Sequence, residues 1–160
     1  MQSNTMDESV FNRADIMLMN MMIVHHEQAV EMSQLAPNRT KNENVLELAR
    51  NISQAQQSEI DTMSSWLNDV GRQRPRGMGH RMAGMASPKE MNLLEQSTGD
   101  EFDGRFANLM IEHHKGGIGM AKREVQRGRN DELVSLAEDM VSVQRCEVNL
   151  IQGWLTDWEA

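Results

Sequence analysis

Two adjacent histidine pairs mark this sequence, His25-His26 and His113-His114, and their surroundings match. Each has a methionine three residues before its first histidine and another seven residues after it, Met22 and Met32 in one, Met110 and Met120 in the other. Neutral imidazole and thioether together form a soft donor set that suits Cu(I), or its mimic Ag(I), better than hard cations. One buried histidine is most often a core residue with a hydrogen-bond partner, and a methionine stripe alone is most often core packing. The same pair at the same register twice, each flanked by methionines, points instead to a shared soft-metal site.

Four polar residues recur further along, Gln56 and Glu59, then Gln144 and Glu147, on what reads as the inward face of a second helix. A buried carboxylate is costly unless it is paired or bound to a cation. The glutamates could stand behind the histidines as acceptors that fix their tautomers. They could instead be direct ligands, with His25 and His113, of a hard dinuclear iron or manganese site in an oxidase. Carboxylate-bridged bundles of that kind use two Glu-x-x-His helices and two further glutamates. Here the position three before His25 is Met22, and three before His113 is Met110, so the carboxylate count falls short. A plain polar network in the core is a third reading of the same residues.

Between these regions, Met78, His80, Met82 and Met85 lie in a Gly-rich stretch as Met-x-His-x-Met-x-x-Met. Flexible ligands of this type could capture and hand over a metal, although a linker in a Met-rich chain will also hold some methionine by chance. Cys146 stands where the matching position of the first half is Ser58, and one residue before Glu147 it should point away from that face.

These residues need helices to position them. Shifted by 88, the sequence falls on itself without a gap over roughly fifty-five positions, the mark of a duplicated unit. Asp15, Met22, His25, His26 and Met32 land on Asp103, Met110, His113, His114 and Met120. Leu48, Gln56, Glu59, Trp66 and Asp69 land on Leu136, Gln144, Glu147, Trp154 and Asp157. In each unit the apolar positions recur with the helical period, as in Leu18, Met22, His25, Ala29 and Met32, and then in Leu48, Ile52, Gln56, Glu59, Met63 and Trp66. Successive helical residues are about 100° apart, so the pattern places His25 on the core stripe and His26 nearer its edge. The units span about 12–69 and 100–158, with a Gly/Pro linker over 70–87. Ser87-Pro88-Lys89-Glu90 predicts a capping box that opens a short helix to about residue 97. Trp66 and Trp154 read as anchors at the hairpin ends. The fold class is all-α, a single-domain four-helix bundle of two tandem hairpins.

Composition narrows the function. A net charge of -8 over 160 residues argues against nucleic acid, and no apolar run is long enough to span a membrane. Fifteen methionines beside no tyrosine fit both a soft helical core and a thioether-rich metal protein. The first ten residues hold no basic or apolar signal region, so the chain is either not exported or has lost a signal peptide. The one cysteine leaves the redox compartment open. No nucleophile elbow, phosphate loop or HExxH motif is present, and a non-enzymatic role is expected.

The stretches HHEQAVEM and HHKGGIGM, the phrase FDGRFANLMIEHH, and the later LARNISQAQQSE and LAEDMVSVQRCE resemble the family catalogued as domain of unknown function 305. The resemblance runs from about Asn12 to Trp158. It implies a ferritin-like four-helix bundle, and likeness to exported Met/His-rich bacterial proteins that bind copper and silver and contribute to copper resistance. The first unit departs from the motif, with Ala14-Asp15 where the second has Phe102-Asp103. The resulting expectation is a periplasmic or secreted protein that sequesters or transfers Cu(I) without catalysing a reaction, with metal ions and a copper donor or acceptor protein as its partners. A homo-oligomer stays open. The rivals are the iron or manganese oxidase and a metal-free bundle that acts by contact with another protein.

Overall fold

The computed structural model describes residues 10–73, 75 and 82–159. The first helix, α1 (Arg13–Leu35), starts where Asn12 and Asp15 cap each other: the Asn12 side chain accepts the Asp15 N–H at 2.9 Å, and the Asp15 carboxylate accepts the Asn12 N–H at 2.7 Å. It ends in a short 3-10 turn, Ala36–Asn38, at Pro37. Next comes α2 (Glu43–Asp69), capped by the Asn42 side chain, which accepts from the N–H groups of Asn44 and Val45. The predicted capping box is present, with Ser87 and Glu90 bonded reciprocally around Pro88, and it opens α3 (Pro88–Gln96). The chain continues through α4 (Gly99–Arg127) and α5 (Asp131–Glu159). Among the described residues every regular element is helical. None of these helices is long and apolar enough to cross a membrane.

Helices α1 and α2 form one hairpin and α4 and α5 the other, and the hairpins meet mainly along a seam between α1 and α4. Met22 packs in one cluster with Met120, while Met32 packs in another with Met110. Residues before His25 thus lie beside residues after His113, so α1 and α4 run antiparallel. The core falls into two apolar clusters. One holds Met32, Ile52, Phe102, Phe106 and Met110, and the other holds Met19, Met22, Ile60, Met63, Met120 and Met140. The histidines lie between them in the chain and form a polar layer.

Asp15, which the repeat pairs with Asp103, is fully buried. Its carboxylate also accepts the N–H groups of Arg129 and Asn130, at 3.0 and 3.2 Å, where α5 begins. The start of the first helix therefore holds the α4–α5 turn. Glu124 reaches the same carboxylate, and burial followed by this hydrogen bond pushes its pKa up to about 8. Glu124 thereby keeps a proton to donate to Asp15, which lets two buried acids share one site.

Candidate metal centre

His25 from α1 and His113 from α4 stack across the seam, with ring centroids 3.7 Å apart and planes 30° from parallel. Both are about 1% exposed. Burial, and then the neighbouring charge of His26, lowers the His25 pKa to about 3. Burial and the facing His25 ring lower that of His113 well below its usual value. Both rings are therefore neutral imidazoles at neutral pH, with lone pairs available without loss of a proton.

The adjacent histidines differ from the expectation. His26 is fully buried, as is His114, rather than lying at the edge of the stripe. The reason is that α1 has two interfaces: His25 faces α4, while His26 turns toward α2 and hydrogen-bonds Glu59 through Nε2. On the second hairpin His114 bonds Glu147 in the same way. Each glutamate thus lies behind a histidine, and both carboxylates keep a partly exposed edge, 22% for Glu59 and 15% for Glu147. Neither bonds His25 or His113, the partners that a dinuclear site with those ligands would need. Among the described residues, no three His, Cys, Asp or Glu side chains gather in a ready-made metal cage.

What gathers here is a softer set. The side chains of Met22, Met32 and Met110 are wholly buried and that of Met120 is 3% exposed, two in each cluster flanking the histidines. Nδ1 of His25, His26 and His114, and both nitrogens of His113, are buried without a hydrogen-bond partner among the described residues. So are the Oε1 atoms of Gln56 and Gln144. Buried polar atoms are nearly always satisfied, and so many lone pairs at one level of a bundle are what a cation would satisfy. For His26 and His114 the carboxylate accepts from Nε2–H, which in the neutral ring leaves the lone pair on Nδ1. Gly117 belongs to this layer too: a Cβ there would lie 2.7 Å from Gln144 Oε1 and 3.3 Å from His25 Cε1.

The linker ligands divide. Met78 and His80 lie outside the described residues. Met82 and Met85 are half-buried, and the segment that carries them is not the loose tether that its glycines suggest. Met82 packs on one apolar cluster, Ala86 joins the other, and between them the Ala83 carbonyl accepts from His25 Nε2 at 3.3 Å. The Gln28 side chain grips Ala86 by donating to its carbonyl at 2.9 Å and accepting its N–H at 2.8 Å. Sequence reasoning passes over Gln28 and Ala83; the one signal was that Gln28 breaks the repeat, standing opposite Gly116. Cys146 is exposed, on the side of α5 away from this layer, as its spacing implies.

A solved candidate secreted DUF305 protein from Streptomyces coelicolor is similar over 92% of this chain and 93% of its own, with 35% identity and a TM-score of 0.86. CopM in its Cu(I)-bound form is similar over 91% of this chain and 98% of its own, with 26% identity and a TM-score of 0.80. CopM has also been solved with Cu(II) and with silver bound. Among curated sequences, uncharacterized protein L153 of Acanthamoeba polyphaga mimivirus is 42% identical over 55 residues, 34% of this chain. That match spans 36% of the viral protein's length. The family model described as "Domain of unknown function (DUF305)" matches residues 15–155, nearly the whole bundle with both histidine pairs, and the chain belongs to that family.

Proposed function

We propose that this protein binds Cu(I), and Ag(I) as its mimic, in copper sequestration, tolerance or transfer in the bacterial envelope, without catalysing a reaction. The observation that carries the reading is the stacked pair His25 and His113, neutral and buried, with unpartnered nitrogens and methionines on both sides. Neutral imidazoles and thioethers need not lose a proton to take a metal, and their softness favours Cu(I) over hard competitors. In this reading His25 and His113 hold the ion with the help of Met22, Met32, Met110 and Met120. His26 and His114, each backed by a carboxylate, are further donors through Nδ1. The copper- and silver-bound states of CopM support the same cargo. The net charge of -8 would draw cations toward the surface.

The iron or manganese oxidase has less support, because Glu59 and Glu147 are engaged with His26 and His114 rather than placed beside His25 and His113. The deciding experiment is an anaerobic competition titration of the apoprotein with Cu(I) against a chromogenic chelator, repeated on the double variant His25→Ala/His113→Ala. Tight binding that weakens at least tenfold in the variant supports the seam as the site. Undiminished binding in the variant would move it to Met78, His80, Met82 and Met85. No binding by either protein would overturn the copper reading.

A further inference from the structure

The segment Met82–Ala86 crosses the histidine layer from one apolar cluster to the other, and it touches both helices of the seam. On the α4 side its approach is as close as backbone allows. Gly84 has φ +81°, a conformation that favours glycine, and a Cβ there would overlap the Glu112 carbonyl. A Cβ on Gly116 would overlap the Ala83 carbonyl. On the α1 side Gln28 holds Ala86 by both backbone atoms, and His25 Nε2 meets the Ala83 oxygen. Gln28 and Gly116 occupy the same place in the two halves of the sequence, 88 residues apart. One supplies the grip and the other the room, so this departure from the repeat serves a single segment.

We propose that Gln28 is a positioning residue of the metal centre: by clamping Ala86 it seats the Ala83 carbonyl on His25 Nε2 and so commits His25 Nδ1 to the metal. A carbonyl oxygen only accepts, so Nε2 carries the proton and Nδ1 keeps the lone pair. His25 then obeys the same rule as His26 and His114, whose Nε2 atoms face carboxylates. The acceptor for His25 is backbone from a distant segment, held on one side by Gln28 and brought close on the other by the two glycines. Neither nitrogen of His113 meets the geometry of a hydrogen bond among the described residues, so the stacked pair is asymmetric. The metal role rests on the soft-metal reading above, but the control of the tautomer does not.

The test is long-range ¹H–¹⁵N NMR of the histidine rings in the metal-free protein, wild type against Gln28→Leu and, separately, Gly116→Ala. The second variant displaces the Ala83 carbonyl, which the added methyl would overlap, without touching Gln28, and thermal melts of both variants check that the bundle still folds. The wild type should show His25 as the Nε2–H tautomer. Both variants should show a mixture at His25 while His26 and His114 stay unchanged, and Ag(I) affinity should fall about tenfold, as for other residues that orient a ligand. A His25 spectrum and an Ag(I) affinity unchanged in both variants would overturn the proposal. A wild type that takes up no Ag(I), with the tautomer still shifting in the variants, would overturn the soft-metal reading and keep Gln28 as the residue that sets the His25 tautomer.

Discussion

The imidazole of His25 lies stacked on that of His113, centroids 3.7 Å apart, at a point where both rings are shut off from solvent. A phenyl ring could fill the place of His25 but offers no lone pair. His25→Phe should therefore leave stability within about 1.5 kcal/mol of wild type, as shape-conserving core changes do. His25→Ala opens a cavity and should cost about 2–4 kcal/mol. Both should weaken Ag(I) binding at least tenfold. Chemical denaturation beside an Ag(I) competition assay separates the two effects, and unaltered binding by the phenylalanine variant would remove His25 from the site.

Glu59 and Glu147 make the same bond to His26 and His114, one in each hairpin. An amide in place of a carboxylate can present its NH₂ to the ring and relax the tautomer. Glu59→Gln and Glu147→Gln should each lower metal affinity by about 10- to 100-fold if the adjacent histidines are donors. Matching losses would show that the two halves contribute alike, whereas no loss from either would confine the site to His25, His113 and the thioethers.

Glu124 gives the protein a pH dependence of known sign. Its pKa rises from 4.5 to about 8 on folding, so the folded chain holds a proton that the unfolded chain releases. The stabilisation is complete below about pH 4.5 and is lost as pH rises toward 8. Glu124→Gln keeps a neutral donor beside Asp15 without a proton to lose. The melting temperature of the variant, measured against wild type, should gain steadily from pH 5 to pH 8. His25 works in the opposite direction, its contribution falling as pH drops from 6.5 toward 3, but it is common to both proteins and cancels in the difference. A constant difference across the range would show that Glu124 is ionised in the folded state.

Gly117 stands where the first half has Ala29. An added methyl would press on the end of the Gln144 side chain and, more lightly, on the His25 ring. Alanine in a helix interior gains about 1 kcal/mol over glycine, which should offset most of the crowding. The expected result for Gly117→Ala is near-native thermal stability together with altered metal affinity. A stability loss of more than about 2 kcal/mol would mean that Gln144 has nowhere to move.

The helices were legible because their signals are local: Ser87 and Glu90 three apart around Pro88, and apolar residues recurring with the helical period. Two equal stripes in paired hairpins bring His25 and His113 to the same level, but nothing in the repeat says that their rings stack. His26 was misjudged because a helical stripe allows for one interface, and α1 has two. Met22, Ile23, Val24, His25 and His26 are buried in unbroken succession, which a helix achieves only when wrapped on more than one side. The seating of the segment Met82–Ala86 was the least legible part. Gln28 bonds Ala86 and His25 bonds Ala83, each side chain reaching backbone 58 residues away, and no periodicity encodes that. The capping box of Asn12 and Asp15 was equally hidden, because the repeat marks Asp15 without saying what it bonds.

The division of the core into two apolar clusters by a histidine layer has a consequence for assembly. Leucine-type packing alone tolerates one hairpin sliding a turn along the other, because apolar contacts are interchangeable. A slide of one turn here would set His25 against methionine and strand His113 in the opposite cluster. Buried polar residues are best attested as devices that select one alignment of helices over its neighbours. The histidine level is thus the notch that fixes how far the two hairpins slide before they lock, whether or not a metal is ever bound.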